Sequence, residues 1–134
     1  MAHILGRLDF GGPKVAFTVG GSKARLEFEG ILDTGFTGFI LLPISLAIPL
    51  GLELDGFNTS VTADGRIHQS PTATATVEFG DHSLEASIVL AYYGDEILIG
   101  MSFLELFQQS LIIHRDRVLV IDASDFDPAL NALH

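Results

Sequence analysis

The sequence contains no cysteine, and this absence removes several kinds of chemistry at once. Without a thiol, the 134-residue chain can form no disulfide, no thiolate-ligated zinc site and no cysteine nucleophile. This composition fits a reducing compartment. The five histidines are scattered along the chain, and no two lie four residues apart on a predicted helix, the spacing typical of metal ligands. The residues therefore indicate no metal site.

Positively charged side chains are also few. The chain has 7 Lys and Arg against 17 Asp and Glu, which gives a formal net charge of -10 at pH 7. Such a surface repels phosphate backbones and anionic lipids, so we expect no nucleic-acid partner and no membrane partner. The same charge makes two copies of the chain repel each other, and this repulsion should weaken at lower pH or higher salt.

The sequence also lacks a long uninterrupted apolar segment. Its most apolar stretch, residues 39–54, is broken by Pro43, Pro49 and Gly51. A membrane helix needs about 20 predominantly apolar residues, so this stretch falls short. Residues 1–7 do not show the basic start and sustained apolar run of a signal peptide. We therefore expect a cytoplasmic protein.

What remains is the composition of a folded chain, with 48% hydrophobic and 18% charged residues. A chain of this length has room for one domain with a core of its own. No linker or low-complexity segment divides it. We predict a single domain over residues 1–122, followed by an acidic C-terminal tail over residues 123–134.

Apolar side chains recur mainly at every second position, which is the period of half-buried β-strands. Val15, Phe17 and Val19 share one face of a predicted strand, and Leu26 and Phe28 share one face of the next. Further strands are predicted at residues 3–10, 31–32, 39–42, 61–63, 66–68, 72–79, 83–93, 97–99, 111–114 and 117–121. The chain is thus predicted to be mainly β.

Helical patterns are short. The clearest predicted helix is Ser102–Gln109, near the C-terminal third of the chain. Pro43 favours a turn or two of helix that ends at Gly51. Residues 127–134 either form a helical tail or a mobile end. The pair Asp64-Gly65 between two short strands predicts a two-residue hairpin turn.

The tripeptide Asp33-Thr34-Gly35 carries the strongest chemical indication. Taken alone, an Asp and a Gly at the end of a strand form an ordinary turn. Here, however, the apolar residues 31–32 precede the tripeptide and an apolar strand follows it. This setting places the Asp33 carboxylate at the floor of the fold, where a carboxylate is costly unless it is hydrogen-bonded or functional.

Residues 31–39, Ile-Leu-Asp-Thr-Gly-Phe-Thr-Gly-Phe, resemble the catalytic loop of the retroviral-type, or retropepsin-like, aspartic proteases. Residues 63–65 lie where that family has the tip of a mobile flap hairpin. Residues 97–100, Ile-Leu-Ile-Gly, resemble its second signature, and a short helix follows them as in the family. The resemblance implies an all-β fold, a closed acid-protease barrel with one short helix near the C-terminal third.

The same resemblance implies an aspartic endopeptidase that acts on protein or peptide substrates with no cofactor and no metal. Its active site is expected at the two-fold axis of a homodimer, with Asp33 contributed by each chain. Two carboxylates held close together cannot both ionise, so the pair shares one proton. The ionised member activates a water molecule and the protonated member hydrogen-bonds the carbonyl of the peptide bond.

The resemblance also implies roles for individual residues. Thr34 would hydrogen-bond across the two-fold axis, and Gly35 would leave room for substrate beside the catalytic pair. Thr37 occupies the place where many viral relatives carry an Asp that contacts substrate backbone. Asp64 and Gly65, at the flap tip, would close over the bound peptide and exclude water.

Leu98 is expected to line a pocket that favours apolar side chains beside the cut bond, although a core leucine explains it nearly as well. Two features depart from the viral pattern. Phe36 replaces a small residue, and residues 122–134 extend the chain where viral termini interleave to build the dimer. The dimer interface is therefore expected to differ. The acidic charge and these termini also leave open an alternative, a non-catalytic binding or dimerisation module with the retropepsin fold.

Overall fold

In the computed structural model, strands account for most of the chain and the helices are short. The structure describes residues 3–9, 12–115 and 117–125. Within these ranges the strands are β1 (His3–Asp9), β2 (Gly12–Gly20), β3 (Arg25–Leu32), β4 (Ile40–Pro43), β5 (Glu53–Val61), β6 (Ile67–Phe79), β7 (His82–Ala91), β8 (Leu98–Ile99), β9 (Gln109–His114) and β10 (Arg117–Asp122). The helices are α1 (Ile44–Ala47) and α2 (Met101–Leu106), with 3-10 turns at Ile48–Leu50 and Ala123–Asp125.

Six of these strands close into a ring. The strands follow the order β5-β6-β7-β4-β8-β3-β2-β1-β10-β9, and β6 pairs additionally with β2. This extra pairing runs from Thr18 opposite Glu78 to Gly20 opposite Thr76. It joins β6 to β2, so the sheet returns on itself and leaves those two strands with partners on both sides. The predicted all-β class is confirmed, and the predicted closed barrel takes the form of this ring of strands.

The core inside the ring is built on aromatic side chains. Phe103 of α2 is 1% exposed and is surrounded by four other phenylalanines. Its ring centroid lies 4.7 Å from that of Phe107, 5.2 Å from Phe79, 5.5 Å from Phe39 and 6.0 Å from Phe17. Large apolar side chains in such contact remove much surface from water, so α2 is anchored to the ring by burial.

The alternation of buried and exposed side chains predicted for β2 and β3 is only partly correct. Val15, Phe17 and Val19 are buried as predicted. Leu26, however, is 46% exposed. The reason lies in the pairing of β3, because its neighbour β8 contacts only the last two residues of the strand, Ile31 and Leu32. The first half of β3 therefore has one neighbouring strand, and Leu26 there lies largely in solvent while Phe28 packs against the core.

Two helical predictions have different outcomes. The short segment after Pro43 is helical as predicted and ends at Gly51, whose φ of 69° lies in the left-handed region that glycine adopts without strain. The helix predicted to run to Gln109 ends instead at Leu106. Gln108 has a φ of 52°, which turns the chain away from the helical path and starts β9 at Gln109.

The β5–β6 hairpin is much longer than predicted. The sequence predicted two short strands around a two-residue turn, whereas β5 has 9 residues and β6 has 13. The turn spans residues 62–66, where the Gly65 amide donates to the Thr62 carbonyl at 2.9 Å and the Thr62 amide donates to the Arg66 carbonyl at 2.9 Å. The two-residue prediction is wrong because Gly65, with φ of 84°, adds a left-handed residue after the tight turn.

The two ends of the described chain lie together. Strand β10 lies between β1 and β9, with His3 opposite Ile121 and Ser110 opposite Ile121 on the other side. The predicted division at residue 122 stays a prediction, and the predicted helical tail at residues 127–134 lies outside the described residues. Within the ranges described, no helix is both long and apolar enough to cross a membrane.

Candidate active site

Asp33 is held where two parallel strands end. It follows β3 directly, and β3 pairs in parallel with β8 through Ile31 opposite Leu98 and Leu32 opposite Ile99. The Asp33 amide continues this ladder by donating to the carbonyl of Ile99 at 3.0 Å. The apolar segments 31–32 and 98–99 are thus hydrogen-bonded partners, and together they fix the backbone of the acid.

The rest of the loop is bound to the start of α2. The amide of Gly100 donates to the Phe39 carbonyl at 3.0 Å, and the amide of Met101 donates to the Phe36 carbonyl at 2.9 Å. Amides in the first turn of a helix have no partner within the helix, so the loop carbonyls satisfy them. A Cβ at Gly100 would lie 2.0 Å from the carbonyl oxygen of Gly38, so this close approach requires glycine.

The Asp33 side chain is itself oriented by the loop. The Gly35 amide donates to Oδ1 of Asp33 at 2.9 Å, and the Phe36 amide donates to the Asp33 carbonyl at 3.0 Å. Such a turn holds a carboxylate with backbone donors alone. Asp33, Thr34 and Gly35 are all exposed in the single chain. The expectation that Asp33 is covered at the floor of the fold is therefore wrong for one copy, because the strands end here and the loop faces solvent.

A cleft of about 360 Å³ opens at this loop. Asp33 and Thr34 line it together with Ile31, Leu32, Glu96 and Leu98. Leu98, which was predicted to line a pocket, is half-buried at the wall of this cleft. Among the residues described, no group of three or more His, Cys, Asp or Glu side chains is arranged to hold a metal ion.

Glu96 is a residue of this cleft that the sequence reasoning missed. It lies in the loop between β7 and β8 and gives the cleft a second acidic residue in addition to Asp33. The signal was present in the sequence, since Glu96 directly precedes the apolar segment 97–99. Glu96 reaches this cleft because the segment that follows it pairs with β3, a contact between distant parts of the chain.

The remaining predicted site residues do not line the cleft. Thr37 lies exposed within the loop, and Asp64 and Gly65 lie at the tip of the β5–β6 hairpin. The Asp64 carboxylate accepts hydrogen bonds from the hydroxyl of Thr62 and from the amide of Arg66, and these bonds lower the pKa of Asp64. In the single chain, Asp64 thus shapes the hairpin turn.

A larger cleft, of about 860 Å³, lies elsewhere on the molecule. It is bounded by the turn at residues 20–23, by α1 and by the root of the β5–β6 hairpin. None of the predicted site residues lines it. Of the predicted site residues, Asp33, Thr34 and Leu98 line the smaller cleft.

The strand ring and the acidic loop bound to β8 and α2 define the retropepsin-like class of aspartic protease folds. Residues 15–103, more than half of the chain, match the family model described as aspartyl protease. The chain belongs to the aspartyl protease family. The matched segment begins in β2 and ends in α2, so it includes Asp33 and the segment 97–100.

Solved structures agree with this assignment. A retropepsin-like aspartic protease from Rickettsia conorii matches with a TM-score of 0.64 and 23% sequence identity, over 89% of this chain and 89% of that one. At this identity the likeness establishes the fold. No curated protein sequence matches the chain significantly. The resemblance inferred from residues 31–39 and 97–100 is confirmed at the level of family and fold.

Proposed function

We propose that this chain is an aspartic endopeptidase whose catalytic pair forms across a homodimer, with one Asp33 from each copy. The observation that carries the proposal is the state of Asp33 itself. Its backbone is bonded to Ile99, its Oδ1 accepts the Gly35 amide, and its side chain remains open to solvent. An oriented and accessible carboxylate in this family's loop is what acid–base catalysis needs.

A second copy supplies what one chain lacks. A single carboxylate is a weak catalyst of peptide hydrolysis, whereas two held together divide the work of acid and base. The exposed residues Asp33, Thr34 and Gly35 leave the loop accessible to the same loop of another copy. In the proposed dimer, Thr34 hydrogen-bonds across the axis and Gly35 lies beside the substrate.

The proposed reaction requires one shared proton and one water molecule. The ionised Asp33 takes a proton from the water, and the water oxygen attacks the carbonyl carbon of the peptide bond. The protonated Asp33 of the other copy hydrogen-bonds the carbonyl oxygen, and its proton then passes to the leaving nitrogen as the C–N bond breaks. The products are a carboxylic acid and an amine. The two apparent pKa values of this cycle belong to the pair.

The exposed side chains of the β5–β6 hairpin support the proposal that the substrate is a peptide. The hairpin carries four large apolar side chains that are strongly exposed, Leu54 (64%), Phe57 (69%), Val61 (66%) and Ile67 (69%). Exposed apolar groups concentrated on one element indicate a surface that covers another molecule. We propose that this hairpin, with Asp64 and Gly65 at its tip, closes over an extended peptide, while Thr37 contacts its backbone and Leu98 contacts an apolar side chain.

The test is digestion of a denatured protein between about pH 3 and about pH 8, the range over which carboxylates and their neighbours titrate. We expect cleavage by the wild type, inhibition by a statine-type transition-state analogue, and no cleavage by Asp33→Asn. Asp81→Asn is the matched control, since Asp81 lies in the exposed β6–β7 turn. Cleavage by Asp33→Asn at the wild-type rate would refute the proposal. A folded, dimeric wild type that cleaves nothing would favour a binding module.

A further inference from the structure

We propose that Asp55 is a positioning residue that sets the angle of the β5–β6 hairpin through hydrogen bonds of its carboxylate at the root of that hairpin. The kinetic consequence rests on the proposed function, because it assumes that the hairpin covers a substrate. The structural consequence, an arm held or released at its root, does not depend on catalysis.

The hairpin projects from the ring as an arm, defined here as residues 56–71. Strand β6 pairs with β7 from Thr72 opposite Val89 to Phe79 opposite His82. Toward the tip from Thr72, β6 pairs with β5 alone. Every residue of β5 is exposed. The orientation of the arm therefore depends on the residues at its root.

Asp55 lies at this root, within an irregularity of the strand. Leu54 pairs with Ala73 and Gly56 pairs with Thr72, so Asp55 is an additional residue between two successive pairs. An extra residue of this kind is a β-bulge, which bends the strand and redirects the side chain at that position. The bulge occurs at the last pair before β6 loses its contact with β7, which is where a hinge for the arm is expected.

At this position the Asp55 carboxylate of β5 is hydrogen-bonded to both β6 and β7. It accepts hydrogen bonds from the hydroxyls of Thr72 and Thr74 on β6, the latter at 2.7 Å, and from the hydroxyl of Ser87 on β7 at 3.1 Å. Thr74 and Ser87 are themselves directly opposite each other. Hydrogen bonds to an ionised carboxylate are stronger than those between neutral groups, so this contact resists rotation of the arm.

The ionised form of Asp55 is favoured by these contacts. The hydroxyl of Thr72 is the largest cause, followed by that of Thr74, and both lower the pKa of the carboxyl. The side chain is exposed, so a bulged Asp with no partner would be an ordinary surface residue. Three hydroxyl donors from two strands distinguish Asp55 from that case.

Small changes at the root are amplified at the tip. The arm extends about five residues from Gly56 to Val61, or roughly 17 Å at 3.3–3.4 Å per residue. A rotation of about 10° at the bulge would therefore move the tip by roughly 3 Å, which is enough to break or make contact with a peptide. The exposed apolar residues Phe57, Val61 and Ile67 all lie on the moving part.

The experiment compares hydrogen exchange of the arm in the wild type, in Asp55→Asn and in Thr74→Val. The first variant keeps the size of the side chain and removes its charge, and the second removes one donor and leaves Asp55 in place. We expect amides of residues 56–70 to exchange several-fold faster in both variants, while amides of β2 exchange at the wild-type rate. Glu53→Gln is the matched control on the same strand, and it should leave the arm unchanged.

Two results would overturn the proposal. Unchanged exchange in the arm of both variants would show that Asp55 does not hold it. Equal acceleration in the arm and in β2 would show that the cluster stabilises the whole fold and not the position of the arm. With a cleavable peptide, we expect Asp55→Asn to raise KM several-fold with a smaller change in kcat. A wild type without activity would refute the proposed function and leave the exchange result valid.

Discussion

The backbone amide of Asp33 donates a hydrogen bond of 3.0 Å to the carbonyl oxygen of Ile99. Ile99 is fully buried, and the next residue, Gly100, is bonded to the far end of the same loop at Phe39. The loop that carries the proposed catalytic acid is thus held at both ends by one short segment of the ring. Catalysis that depends on the distance between two carboxylates requires such rigidity.

Replacing Gly100 by alanine is expected to break this support. Its Cβ would lie 2.0 Å from the Gly38 carbonyl oxygen and 2.6 Å from that of Phe36, both backbone atoms. We expect the free energy of unfolding to fall by about 3 kcal/mol or more and cleavage to be lost. Urea unfolding and peptide digestion measure these effects. Gly20→Ala is the control, because its Cβ would meet nothing closer than 3.6 Å. Equal losses in the two variants would contradict this account.

Truncating Phe103 to alanine should destabilise the ring. The side chain is 1% exposed and contacts four other phenylalanine rings, so its removal leaves a cavity. The expected loss in the free energy of unfolding is about 3–5 kcal/mol. Chemical denaturation measures it, with Leu106→Ala as the comparison on the same helix. Leu106 is 52% exposed, and its truncation should cost far less. A loss for Phe103→Ala as small as that for Leu106→Ala would show that the aromatic cluster is not the anchor of α2.

We expect Asp122 to account for part of the decrease in the free energy of unfolding at low pH. Its carboxylate accepts a hydrogen bond from the Gln109 side chain and lies 3.0 Å from Nε2 of His82. The bond from Gln109 is the main reason that the pKa of Asp122 lies below its ordinary value of 3.8. Because the pKa is lower in the folded state, the stabilisation is fully present above the ordinary value and is lost as pH falls through the folded-state value.

Asp122→Asn should therefore reduce the dependence of stability on pH. Between about pH 5 and about pH 2, we expect the free energy of unfolding to fall less steeply in the variant than in the wild type. Urea unfolding at several pH values within that window measures the slope. Asp95→Asn, in the exposed loop before β8, should retain the wild-type slope. An unchanged slope in Asp122→Asn would rule out this contribution.

Assembly of the proposed homodimer should depend on salt. Each copy carries a formal net charge of -10, so two copies repel each other through solvent. Raising the ionic strength from about 0.01 M to about 1 M shortens the screening length from about 30 Å to about 3 Å, and the dimer fraction should rise. Sedimentation velocity measures that fraction, with Asp33→Asn expected to assemble at least as well as the wild type. A protein that is monomeric at every salt concentration and pH would refute the homodimer.

Short-range patterns in the sequence determined the position of the acid and most strands. The alternation of Val15, Phe17 and Val19 predicted a half-buried strand because adjacent side chains of a strand point to opposite faces. Asp33-Thr34-Gly35 between two apolar segments, followed by residues 97–100, was sufficient to indicate the family. These signals are local, so they can be read without knowing which strands become neighbours.

Tertiary structure alone decided which distant residues meet. Glu96 joins the cleft of Asp33 because β8 pairs with β3, and Asp55 meets Ser87 because a bulge redirects it toward β7. Leu26 is exposed at the start of β3, where β8 does not pair with that strand. Each of these outcomes depends on strand pairing and register between segments far apart in the chain. Local periodicity identifies a strand and its faces, and the neighbours of that strand then decide which face is buried.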